Sequence, residues 1–273
     1  MFDPFKDFET AGYLRNVEKE KDPTIIKMAE HEAFTSNLPK AIDYLSSKAV
    51  VAYEDFLEVH RILFSDFYPW AGQDRAKIAP NLGISKAGTL FCHPADIRRA
   101  VDEGLRLAQA AGKMSEAPGK IMGLFAYGHP FLDGNGRTML VVHVELAHRA
   151  GYSIAWHSVD KATYLKSLAE EISHPDRGVL DVYLLQFKTG LVERAASRKS
   201  VLSVKGLDGL DENNQVDGDL LSNKTLAEKY RKFDEQRGYT YATEDEQIVC
   251  SKCNLVPCVC GGGGPPPSEM KYG

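Results

Sequence analysis

The run His129-Pro130-Phe131-Leu132-Asp133-Gly134-Asn135-Gly136-Arg137 is the feature that most limits how this chain can fold. It joins two stretches that each read as an apolar helix. The first is Lys120 to Gly128, and the second runs from about Asn135 to Ala150 and is closed by Gly151. Phe131 and Leu132 read as anchors that bury the spine of the turn. Further helices are expected over Glu54–Phe64, Pro94–Ala111, Asp160–Ile172 and Val179–Val192, with Pro94 in a first turn and Asp160 as an N-cap. Gln73 to His93 differs in texture. It carries Pro80, Asn81, Gly83 and Gly88 between the short stretches 77–79 and 89–91, and reads as a small hairpin or extended flap. The fold class is therefore mostly α, a helical bundle with a β-hairpin flap.

The residue types in the central turn suit phosphate chemistry. Gly134 and Gly136 let the backbone approach a ligand closely where a helix is about to begin, and the free N–H groups of a helix start favour anions. Arg137 adds a planar, permanently charged fork. Asp133 is a hard carboxylate suited to Mg²⁺ beside phosphates. His129 has a side chain able to take a proton from an incoming hydroxyl near neutral pH. Taken alone, the same residues also suit an ordinary turn, since Asp-Gly and Asn-Gly are common turn dipeptides. No GxxxxGK[ST] string is present, so this is not a P-loop.

His129 to Arg137 resembles the signature of the Fic/Doc family, HxFx[DE]GNGR, at every specified position. Phe67-Tyr68-Pro69-Trp70-Ala71-Gly72 resembles the segment that leads to that family's flap, and Thr89-Leu90-Phe91 falls at the flap position. The resemblance covers roughly residues 55–187. It implies transfer of AMP from ATP, or of another phosphate-containing group, to a Ser, Thr or Tyr hydroxyl of a target protein. Carried over, His129 is the general base, Asp133 the Mg²⁺ ligand, Gly134, Asn135 and Gly136 the phosphate cradle, and Arg137 the phosphate clamp. Thr89, Leu90 and Phe91 would hold the target backbone as an added strand.

One departure stands out. The family pattern continues to a second arginine that reaches the γ-phosphate, and here that position is Leu140. The Doc branch, which also lacks it, phosphorylates its target, so a Doc-like kinase or another nucleotide transferase is an alternative. Lys77, Arg75 and Lys86, on or near the flap, are the first candidates to take over the γ-phosphate. No [ST]xxxE[GN] segment occurs near the N-terminus, and Ser167 to Glu171, with related spacing, reads as part of a core helix. The resemblance leaves a separate antitoxin as a further partner, and a catalytically silent scaffold as a third reading.

Composition adds bounds. The chain has 273 residues, 43% hydrophobic and 26% charged, with a net charge of -5. That charge and the lack of a basic stripe argue against nucleic-acid binding. No apolar stretch is long enough to span a bilayer and the first residues do not resemble a secretory signal, so the expected compartment is the cytoplasm, with export into another cell left open. His143 and His148 are spaced wrongly for a zinc-protease helix. The catalytic domain is expected over 1–197. An acidic linker and short helix (198–247) follow, then a flexible cysteine-bearing tail (248–273) ending in a glycine and proline run. Removing everything after about Val204 is expected to leave the core folded. Cys250, Cys253, Cys258 and Cys260 suit either a thiolate-bound metal such as zinc or unliganded thiols.

Overall fold

The computed structural model describes residues 2–204 and 214–238. Its first long element is absent from the expectations above. Helix α1 (Pro23–Ser46) is capped by Asp22, whose carboxylate accepts from Thr24 and Ile25, and opens on Pro23. Two features hide it in the sequence. Pro39 lies inside it, and its buried stripe, Ile26, Glu30, Ala33, Phe34, Asn37, Leu38, Ala41 and Leu45, includes a carboxylate and an amide.

Helices α2 (Tyr53–Phe64), α3 (Ile97–Gln109), α4 (Pro118–Gly128) and α5 (Asn135–Arg149) follow the expected positions within a few residues. Every residue of α4 except Lys120 is buried, so it is the central rod of the bundle. Close packing there uses glycine: a Cβ on Gly104 of α3 would come within 2.6 Å of the Phe125 ring on α4. Strand β3 (Tyr152–Ile154) leads to α6 (Lys161–Ser173), where Asp160 caps through Thr163 N. Ser167 and Glu171 are buried on α6, in keeping with a core helix.

The helix expected over Val179–Val192 is shorter. Helix α7 (Val179–Leu185) stops early, and Lys188–Gly190 forms strand β4 antiparallel to β3. Thr189 and Gly190 both disfavour helix continuation. Helix α8 (Arg194–Leu202) closes this part.

The flap forms a hairpin from β1 (Leu82–Lys86) and β2 (Thr89–Leu90), with Ser85 opposite Leu90 and Lys86 opposite Thr89. Ala87 and Gly88 both take positive φ, the left-handed pair that a tight two-residue turn requires. Residues 77–79, expected as extended, belong instead largely to one helical turn, Arg75–Ile78, capped by Asp74.

Part of the expected linker also folds. Strand β5 (Asn214–Asp219) pairs antiparallel with the far edge of β1, giving the order β2-β1-β5. Helix α9 (Lys224–Gln236), capped by Asn223, packs beneath it. Leu90, Leu220 and Tyr230 form a small core with Leu226 and Phe233. The Tyr230 hydroxyl lies 3.0 Å from Ile84 O and 2.7 Å from Asp217 Oδ2. Tyr127 of α4 donates to Asp234 of α9. Residues 214–238 thus pack on the flap and on α4. The four clustered cysteines lie outside the described residues.

Candidate active site

The central turn is held from three sides. Within it, Asn135 closes a ring: its Oδ1 accepts from Phe131 N at 2.9 Å and its Nδ2 donates to Phe131 O at 2.7 Å. Asn135 is thus a brace for the loop as well as a cavity-lining group. From α2, His60 spans the turn. Gly72 N donates to His60 Nδ1 at 2.9 Å, which leaves Nε2 as the protonated nitrogen facing Asp133 O at 3.1 Å. The ring stacks on Phe131 with centroids 3.7 Å apart. Burial, with the nearby Arg137 charge adding to it, pushes the His60 pKa down to about 3. This imidazole is a neutral strut. Its sequence signal was a histidine lying in the apolar face of the helix.

The N-terminal residues supply the second side. Tyr13 donates its hydroxyl to Asp133 Oδ2 at 3.1 Å, while Gly134 N donates to Asp133 Oδ1 at 2.6 Å. Glu30 of α1 pairs with Arg137 at 2.7 Å, and Asp133 lies 3.7 Å from the same guanidinium. Burial acts against the charge of Arg137, but the two carboxylates outweigh it and hold its pKa above the usual value. Arg137 also lies over the Phe64 ring, and its Nη1 is buried without a hydrogen-bond partner. No pattern near Tyr13 or Glu30 marked either residue as part of the site.

The flap is the third side. Phe91 stacks on the His129 imidazole at 3.6 Å and 7° between planes. His129 itself adopts φ 40°, ψ 60°, the left-handed region that non-glycine residues rarely occupy. Asn135 Nδ2 lies 3.2 Å from His129 Nε2. An amide nitrogen can only donate, so Nε2 carries the lone pair. Burial first, then the positive charges of Arg75 and Lys86, hold the His129 pKa well below its ordinary value. The ring is held in its neutral form.

These groups border one cavity of about 380 Å³. His129, Asp133, Gly134, Asn135, Gly136, Arg137, Leu140, Thr89 and Phe91 all line it. The rest of its lining is largely apolar, with Met139, Trp156, Tyr164, Leu165 and Leu168, and Lys86 and Lys161 add charge. The two glycines act differently. Gly134 has φ 75° and a Cβ there would meet the Phe64 ring at 2.6 Å, whereas a Cβ on Gly136 would meet nothing within 4 Å. Space therefore lies open above the start of α5, where backbone N–H groups are free.

Three expected residues, Leu90, Arg75 and Lys77, do not join the cavity. Leu90 turns the other way, into the cluster with Leu220 and Tyr230. Arg75 is fully buried and donates to backbone carbonyls, so it is not a γ-phosphate contact. Of the three cations considered for that role, Lys86 lines the cavity. His143 is buried with Nε2 at 2.9 Å from Pro118 O, a structural position. No group of three His, Cys, Asp or Glu among the described residues could hold a metal ion.

Residues 50–147 match the family model described as the Fic/DOC family. That stretch is a Fic/DOC-family domain within the chain. Its Fic domain is similar to the protein adenylyltransferase VbhT of Bartonella schoenbuchensis, 29% identical over 177 residues, which is 62% of this chain and 35% of that protein. A probable protein adenylyltransferase of Sinorhizobium fredii, y4lH, is 29% identical over 130 residues, covering 44% of this chain and 65% of its own. The chain thus spans about a third of VbhT and just under two thirds of y4lH. The fold is that of a solved Fic structure, BepC of Bartonella tribocorum with bound AMPPNP. The TM-score is 0.53 at 15% identity, over 67% of this chain and 95% of that one. The Fic domain of a Bartonella quintana effector with bound ADP gives 0.53 at 17% identity, over 71% and 96%. No helix among the described residues is long and apolar enough to cross a membrane.

Proposed function

We propose that this chain transfers AMP from ATP to a hydroxyl of a target protein. The observation that carries the reading is one cavity bordered by a neutral imidazole with its lone pair on Nε2, a buried guanidinium with an unpartnered Nη1, and a helix start opened by Gly136. The curated relatives named protein adenylyltransferases support it. In this reading the acceptor hydroxyl attacks the α-phosphorus of ATP. The new O–P bond forms as the bond to the β-phosphate oxygen breaks, and pyrophosphate leaves. His129 Nε2 takes the hydroxyl proton. Arg137 and the N–H groups at the start of α5 bind the phosphates, and the apolar wall receives the base and sugar.

A Mg²⁺ ion fits Asp133. The carboxylate is buried, lines the cavity and is oriented by Tyr13 and Gly134 N. Mg²⁺ binds through one or two carboxylates with phosphates and water completing its shell, and when bound it would offset phosphate charge. Leu140 favours one second reading. With leucine on the cavity wall the terminal phosphate lacks the family's second arginine, which suits a transferase that uses its nucleotide differently, such as a Doc-like kinase.

Intact mass spectrometry of the chain incubated with Mg²⁺ and each nucleotide separates these readings. Addition of an AMP mass, lost in His129→Ala, is the expected result. Addition of a phosphate mass selects the second reading. No addition to the chain or to proteins of a lysate, with the nucleotide bound, would leave a silent scaffold.

A further inference from the structure

Arg75 is a wholly buried cation that forms no ion pair among the described residues. Its partners are carbonyls. Nε donates to His129 O at 2.7 Å, and Nη2 lies 3.4 Å from Gly128 O. The same Nη2 reaches Cys92 O at 3.3 Å and Nη1 reaches Leu82 O at 3.5 Å. Its own backbone N donates to Pro130 O at 2.7 Å. One guanidinium therefore holds the end of α4, the left-handed turn at His129 and both sides of the flap hairpin. An uncompensated buried charge is a costly strut, and a neutral side chain could fill space or bridge carbonyls without that cost.

We propose that Arg75 is a positioning residue that ties the flap to the catalytic turn, fixing the strained backbone from which the His129 imidazole projects and setting a permanent positive charge behind that ring. The charged groups facing the imidazole are Arg75, from the turn before the flap, and Lys86, from β1. Phe91 and Asn135 bring no charge to it, Asp133 is turned to Tyr13, Gly134 N and Arg137, and the buried Cys92 thiol donates to Gly128 O. The field at the ring is thus positive, and it favours the neutral, proton-accepting form. The downward direction of the His129 pKa agrees, with burial as its first cause and Arg75 as its second.

The test is NMR of labelled histidine in the full chain without nucleotide, comparing wild type, Arg75→Lys and Arg75→Met, with His129→Ala assigning the signal. In wild type and Arg75→Lys the ring should stay neutral to clearly lower pH than in Arg75→Met. The expected difference is at least about tenfold in proton affinity, one pH unit. Arg75→Lys keeps the charge but loses the fork, so its kcat for self-modification should fall at least about tenfold with KM for nucleotide little changed. Should Arg75→Met not fold, Arg75→Gln replaces it. A folded neutral variant whose His129 titrates as in wild type, or an Arg75→Lys protein with wild-type kcat, would overturn the proposal. The rates rest on the transfer reading, but the titration does not, so the two can fail separately.

Discussion

The Glu30 carboxylate, carried on α1, sits 2.7 Å from the Arg137 guanidinium at the start of α5, and both side chains are almost wholly buried. A segment outside the family signature thereby holds the residue read as the phosphate clamp. Removing one member of a buried pair leaves the other uncompensated, at a cost of about 3–5 kcal/mol. Glu30→Gln should therefore melt well below wild type. Bound nucleotide would supply new negative charge to Arg137, so the rise in melting temperature on adding ATP should be larger in the variant. Equal rises in the two proteins would mean that Glu30 and phosphate do not share the guanidinium.

Leu140 bears on nucleotide choice. It lines the cavity one helical turn beyond Arg137, and its neighbour His143 is turned away to Pro118 O. A guanidinium at this position could make a charge-assisted contact of roughly 1.5–3 kcal/mol with a terminal phosphate. Leu140→Arg should strengthen ATP binding relative to ADP, measured by calorimetry in a His129→Ala background. A wild-type preference for ATP already at or above about tenfold (~1.4 kcal/mol) would point to Lys86 as the residue in that role.

The strap formed by β5 and α9 predicts where the chain can be cut. A chain ending at Gly238 keeps the whole strap and is the reference. One ending at Val204 loses the strand on β1 and the cover that Tyr230, Leu226 and Phe233 give to Leu90, and should melt lower. Tyr230→Ala alone should cost roughly 3–5 kcal/mol, the range for truncating a buried aromatic. Identical melting of the two truncated chains would show that the strap adds no stability.

Glu171 gives a pH dependence of known sign. Burial lifts its carboxyl to about 7, against a partial opposing effect of the Leu180 N–H. The folded state then holds more protons than the unfolded state between the ordinary carboxylate range and about 7. Stability should fall as pH rises through that window, by up to about 3 kcal/mol. Glu171→Gln should flatten this slope in urea melts at pH 5 and pH 7.5. Asp234, also lifted to about 7 by burial, leaves some slope behind. An unchanged slope in the variant would remove Glu171 as its source.

Much of the bundle could be read because its helices carry simple apolar periodicity, as in α2, α3 and α6, the last with Asp160 as its cap. The turn from His129 to Arg137 could be read because its chemistry is contiguous in sequence. What could not be read arises where a distant polar side chain enters the core. Tyr13, Glu30, His60 and Arg75 are far apart in sequence and meet the turn only through the fold. A buried glutamate also breaks the apolar stripe by which α1 would be recognised. Residues 214–219 read as linker because their composition is polar, and they become a strand because β1 offers its backbone edge to them.

Gly134 and Gly136, two positions apart, divide the constraints on this turn between them. Any side chain at 134 collides with Phe64 and needs a left-handed backbone, so variation there is closed by architecture. At 136 the backbone is helical and the space is open, and alanine in place of glycine should raise stability by up to about 1 kcal/mol. The same methyl would stand where an anion is expected. Libraries of this protein selected for solubility should therefore enrich Gly136→Ala, and those selected for nucleotide binding should lose it, which makes position 136 a place where thermostability and ligand affinity are selected in opposite directions.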